Sequence, residues 1–175
     1  MEVVAGRATV AAVEDFVATV EGVGADHDVA VQAFDARYVV DRTHLERAVA
    51  LADRALGRGE GIARDRGVEI LCYAAGRRQI DRAMEMGVGA GTGPVAIVVA
   101  AESGAGEGAR ERERAAAEAV RERLGGQFEP ADVLGAHDPA IVREFFGIGD
   151  AELGATAGDL ADLVHERVAL LVVER

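Results

Sequence analysis

The sequence has no lysine, no asparagine and no tryptophan, and only one cysteine and one serine. A single cysteine, Cys72, rules out an internal disulfide and argues against a cysteine-based metal site. Cys72 falls on the apolar side of a helical pattern, which reads as a core thiol rather than a nucleophile. Ser103 does not stand in a nucleophile elbow. His27, His44, His137 and His165 share no ligand spacing, so no metal is expected. Carboxylates are abundant, but none lies on an otherwise apolar face where a raised pKa would suit acid–base work. Glu69 comes nearest, and it sits in a first helical turn, where negative charge is favourable anyway. Nothing resembles a catalytic constellation, so a non-enzyme without cofactor or small-molecule substrate is expected. Long apolar runs are missing too: none approaches the ~20 uncharged residues that cross a bilayer. The opening MEVVAGRATV carries an early acid and no signal-peptide core, so a cytoplasmic protein without membrane contact is expected.

What is present is small and charged. Half of the 175 residues are apolar, mostly Ala and Val, and the net charge is −12. That length suits one domain, 1–175, with a core able to stand without metals or disulfides. All 19 basic residues are arginine. Excess carboxylates with Arg in place of Lys suit solubility where charges are heavily screened, which points to a high-salt proteome and makes the acidity weak evidence about partners. Local contrast says more. Residues 37–82 hold ten Arg against seven acids, whereas the remainder holds nine Arg against 24 acids. Such a centre is either a nucleic-acid footprint or a set of arginines paired with acids along helix faces.

The periodicities predict the elements in order. Glu2 to Ala5 is a strand. Thr9 caps a helix to about Glu21, ended by Gly22 and Gly24. Val29 to Phe34 is a β-branched strand. Thr43 with Glu46 forms a capping-box pattern opening a helix to about Leu56. Val95 to Ala100, the most apolar run, reads as a central strand. Residues 110–124 form a charged helix. Asp138 and Pro139 start a short helix to Phe146, Asp150 caps a turn, 159–166 is helical, and Val168 to Val173 closes the chain as a strand. The fold class is α/β (α+β), with a small mixed sheet of about four strands packed with several helices.

The chain is organised around Gly67 to Met86. Val68, Leu71, Cys72, Ala75, Ala83 and Met86 fall on one side at helical spacing, and Ile70, Tyr73, Ile80 and Met84 on another. A helix apolar on two sides is buried. Gly76 in its interior costs about 1 kcal/mol against Ala and suits close approach by a backbone or a ligand. Arg77, Arg78, Gln79 and Arg82 surround it. A second candidate is Gly104 to Ala109, which nominally fits G-x-G-x-x-[GA] between a strand and a helix and would serve a nucleotide. Glu102 and Glu107 put negative charge where its pyrophosphate would lie.

The pattern Glu69-x-x-x-Tyr73-x-x-Gly76-x-Arg78-Gln79-Ile80, followed by Gly87, resembles the signature of the PRPK-binding (TPRKB-like) proteins, the small Cgi-type accessory subunits of the KEOPS complex. Phe34-Asp35-Ala36-Arg37-Tyr38 leading to His44-Leu45-x-x-Ala48 is similar to the family's entry into its second helix, and 163–171 to its C-terminal strand. The acidic, lysine-free composition suggests a haloarchaeal member. The resemblance implies a non-catalytic role in making threonylcarbamoyladenosine on tRNA. The subunit would bind and support the complex's atypical protein kinase/ATPase, and capture the 3′ CCA end of tRNA.

Single-stranded ends are held by Arg against phosphate, by stacking and by apolar pockets. Arg77, Arg78, Gln79 and Arg82 suit this, with His44 and Arg37 near the preceding helix and Gly76 letting a nucleotide approach. Alternatively each arginine pairs within the chain, Arg78 with Asp81 or Glu85 for example. The kinase-facing surface should be apolar, and Phe145, Phe146, Ile148 and Leu153 are its candidates. Two other readings stay open: a nucleotide-binding protein using the 104–109 loop, and a structural subunit without RNA contact.

Overall fold

In the computed structural model, which describes residues 1–173, the chain forms β1 (Glu2–Val10), α1 (Val13–His27), β2 (Ala30–Asp35), α2 (Arg42–Gly57), α3 (Arg66–Ala75), α4 (Ile80–Ala83), β3 (Gly91–Ala100), α5 (Ala109–Leu124), β4 (Phe128–Pro130), α6 (Pro139–Phe146), α7 (Asp150–Ala155) and α8 (Leu160–Leu170). These elements group into two compact units that alternate along the sequence. Met1–Asp35 with Gly87–Val133 makes one, and Ala36–Met86 with the segment from Leu134 onward makes the other.

The first unit holds the whole sheet, in the order β2-β3-β1-β4. β3 is interior, as its uniform apolar run predicted. Every pairing is antiparallel, with Glu2 opposite Val99, Gly6 opposite Pro130 and Ala30 opposite Ala100, so the expected mixed sheet is corrected to an antiparallel one. β1 runs five residues further than its strand pattern suggested. Val4, Gly6, Ala8 and Val10 are buried at period two, and Thr9 and Thr92 hydroxyls meet across the strands at 3.0 Å. Thr9 is therefore a strand residue and caps no helix. α1 begins later, at Val13, and contains both Gly22 and Gly24 instead of ending at them. Gly24 is buried where a Cβ would stand 2.7 Å from the Val29 carbonyl, so the return of the chain into β2 demands glycine there. α1 and α5 bury Phe16, Val20, Val23, Ala116, Val120 and Leu124 against Val4, Val31, Val95, Ile97 and Val99.

The second unit is helical. α2 starts from Asp41, not Thr43: the Asp41 carboxylate accepts from the His44 amide at 2.7 Å. The predicted helix 67–86 is two helices. α3 ends at Ala75, and Gly76 closes it in the left-handed region at φ 59. A short helix, α4, and a 3₁₀ turn at Met84–Met86 follow. Gly76 is thus a helix terminator, not an interior glycine. The expected closing strand at 168–173 is also corrected. α8 runs on to Leu170, because Val164, Val168 and Leu171 are buried at helical spacing while Ala169 and Leu170 face out. A reciprocal cap between Asp159 and Asp162 fixes its start. Among the described residues no helix is long and apolar enough to cross a membrane.

Candidate functional site

α3 is buried on nearly every side, from Gly67 through Ala75 except Val68. Its apolar residues pack it among the helices of the second unit, and that burial fixes what lies at its two ends. At the C-terminal end the Arg77 guanidinium donates to the Phe145 carbonyl and lies over the Phe145 ring, 4.8 Å from its centroid. Phe145 in turn meets Tyr38 and Phe146 edge-on at 5.2 and 5.0 Å. Arg77 thereby ties α6 to the end of α3.

His44 is fully buried. The Val40 amide donates to its Nδ1 at 3.4 Å, which leaves Nε2 protonated to donate to the Ala74 carbonyl at 2.8 Å. Burial pushes the ring down to about 4, so it is neutral near pH 7. Its neighbour Asp41 is raised by burial, but the His44 amide and the His165 ring, at 3.0 Å, outweigh that and hold its carboxyl below the ordinary range. His44 is therefore a core residue that joins the starts of α2 and the end of α3.

The other sequence candidates divide. Arg78 and Gln79 are exposed just after the Gly76 cap, and Arg82 is exposed with Glu85 at 3.1 Å. Arg37 is exposed, and its carbonyl accepts from the Asp138 amide at 3.0 Å. A Cβ at Gly76 would stand 3.3 Å from the Arg167 carbonyl, so the close approach there is made by the chain's own α8. Phe145, Phe146 and Ile148 are buried and Leu153 is half-buried. The aromatic pair is thus an internal cluster, not an open patch.

The structure brings Arg78 to a cleft of about 240 Å³. α2 supplies Leu51, Arg54 and Ala55, the loop after it Arg58 and Glu60, α3 Tyr73, and the turn after α8 Val172. Arg54 and Arg58 are exposed. Three guanidiniums share this lining with the Glu60 carboxylate and with Tyr73, which is itself buried, so the arginines are what suit the cleft to a phosphate. In the sequence Arg54 and Arg58 stand out only as charge. Their i, i+4 spacing at the end of α2, opposite the Glu69-x-x-x-Tyr73 pair, was the signal available.

The 104–109 loop leads from β3 into α5, but both sheet neighbours of β3, β1 and β2, run antiparallel to it, so it opens no βαβ unit of adjacent parallel strands. Burial pushes the Cys72 thiol up to about 11, which leaves it protonated and unreactive. Among the described residues no cluster of His, Cys, Asp and Glu is placed to hold a metal. A comparison with curated proteins found no significant match. The model of one protein family, the kinase binding protein CGI-121 family, matches residues 12–171, and the chain belongs to that family.

Proposed function

We propose that the chain is a non-catalytic accessory subunit of the KEOPS complex, acting in tRNA threonylcarbamoyladenosine modification. It binds and supports the complex's atypical kinase/ATPase and recruits tRNA through its 3′ CCA end. Membership in a kinase-binding family supports the first half. The observation that carries the second is the cleft of Arg54, Arg58, Arg78 and Tyr73. Arginines hold the phosphates of a frayed strand, and their guanidinium planes receive its bases. Gln79 and Ile80 follow Arg78 directly, and Ile80 is 40% exposed, giving a base an apolar neighbour. Arg77, His44 and Gly76 join α6, α2 and α8 to the end of α3.

Reversing Arg54, Arg58 and Arg78 to Glu is expected to weaken tRNA binding at least about a hundredfold while kinase binding persists, since each lost phosphate contact also removes counterion release. A tRNA lacking its CCA end should bind the unaltered protein as poorly as the variant binds whole tRNA. Equal affinity for both tRNAs would defeat this reading. The structural-subunit reading draws on the internal engagement of Arg77 and Arg82. Tight kinase binding with no tRNA binding would select it.

A further inference from the structure

The wall of the cleft is a loop with little intrinsic order. It leaves α2 at Gly57, contributes Arg58 and Glu60 to the cleft, and ends at Asp65, whose carboxylate caps α3. Gly57, Gly59 and Gly61 punctuate it, and Gly59 adopts a φ of +70. Glycines of this density leave a segment free to wander unless something outside it holds it. Two contacts do so. Arg66 makes a two-pronged pair with Asp53, at 2.7 and 3.0 Å, across the loop's base. Higher up, Glu69 Oε2 accepts from the amides of Ile62 at 2.9 Å and Ala63 at 2.7 Å.

Glu69 is an expensive way to secure two amides. Its side chain is fully buried, and its Oε1 is buried with no hydrogen-bond partner among the described residues. A buried carboxylate is costly unless its hydrogen bonds repay it. The two it makes are charge-assisted, hence short and strong, and both go to the loop that carries Arg58 and Glu60. Glu69 also stands one helical turn before Tyr73, on the same face of α3. One helix face therefore supplies both the ring in the cleft and the clamp on the cleft's wall.

We propose that Glu69 is a positioning residue: by holding the Ile62 and Ala63 amides it fixes the far end of the α2–α3 loop and, together with the backbone bonds that tie the near end to α2, keeps Arg58 and Glu60 set against Arg54, Tyr73 and Arg78. Its effect on loop order stands by itself, and its effect on ligand affinity rests on the reading of this cleft as the RNA site.

The test uses the full chain and amide hydrogen exchange followed by NMR, together with binding of a short RNA ending in CCA. Glu69→Asp draws the carboxylate back by one methylene, out of reach of the loop, while Glu69→Gln keeps the reach and one accepting oxygen. The Ile62 and Ala63 amides of the unaltered protein are expected to be protected. In Glu69→Asp they should exchange at least about tenfold faster, with the rest of α3 unchanged, and RNA affinity should fall about tenfold. Glu69→Gln should restore both to within about threefold. Ile62 and Ala63 amides that exchange as freely as an unstructured loop in the unaltered protein would overturn the proposal even if Glu69→Asp fails to fold. So would amides that Glu69→Asp does not loosen, or loosened amides with RNA affinity intact while Arg58→Glu lowers it. If the unaltered protein binds no RNA, the cleft reading fails, and the exchange rates still decide whether Glu69 holds the loop.

Discussion

His44 shows how little residue type alone says about a side chain's surroundings. A histidine near arginines and a helix start suggests recognition, but the residue is fully buried and satisfied at both nitrogens. Its ring sits near 4 in the fold against an ordinary 6.5, chiefly through burial, with the charges of His165 and His137 acting the same way. The unfolded chain therefore takes up a proton first as pH falls. The stability His44 confers is complete above its unfolded pKa and drains away towards the folded one, with about 2 kcal/mol gone near pH 5. Asp41 acts in the same direction but lower, because its folded carboxyl titrates below 3.8. Urea midpoints at about pH 7.5 and about pH 5 should differ accordingly, and His44→Asn should be less stable at the higher pH and show a much smaller difference. Identical midpoints for the unaltered protein would contradict this account. Arg77 carries the same lesson, since its neighbours in sequence gave no sign that Phe145 lies beneath it.

Among the elements, those with a strong local pattern were legible. The β-branched run of β2, the uniform run of β3, the charged repeat of α5 and the Asp138-Pro139 start of α6 all fall where their patterns place them. Those decided by distant partners were not. The stretch 168–173 is as β-branched as a strand, yet its burial repeats every three to four residues and it extends α8. The continuous pattern of 67–86 hid the break at Gly76, where helical spacing survives on both sides of a left-handed cap. β4 is only three residues long, so no periodicity could reveal it. What makes room for β4 is Gly6, where a Cβ would meet the Phe128 ring at 2.7 Å and also run into the Glu129 carbonyl. Gly6→Ala should therefore cost about 2 kcal/mol or more by overpacking. Thermal unfolding reads the loss, and amide exchange at 128–130 should show it concentrated in β4. An unchanged melting temperature would mean that β4 does not pack as described.

At the scale of the molecule, the arginine-rich stretch and the family signature were readable because both are contiguous, whereas the cleft draws on α2, α3 and the turn after α8, separated by up to a hundred residues or more. Partner contact is a property of the remaining surface. The large apolar side chains left exposed include Met84 at 54% and Leu170 at 40%, neither of which lines the cleft. If the kinase takes its apolar contact there, Met84→Asp and Leu170→Asp, made separately, should each weaken kinase capture at least about tenfold and leave tRNA affinity unchanged. Kinase binding at full strength in both would move the interface elsewhere. The alternation of the two units along the chain has a further consequence, for biosynthesis. β1 leaves the ribosome before the rest of its sheet, and its partners are β3 and β4, at residues 91–100 and 128–130. One of its edges stays open until residue 100 has been made and the other until residue 130, so its sheet is a late event of high contact order. A nascent chain with an unpaired apolar strand is open to aggregation, and chaperone demand during translation should therefore be greatest before residue 130 emerges.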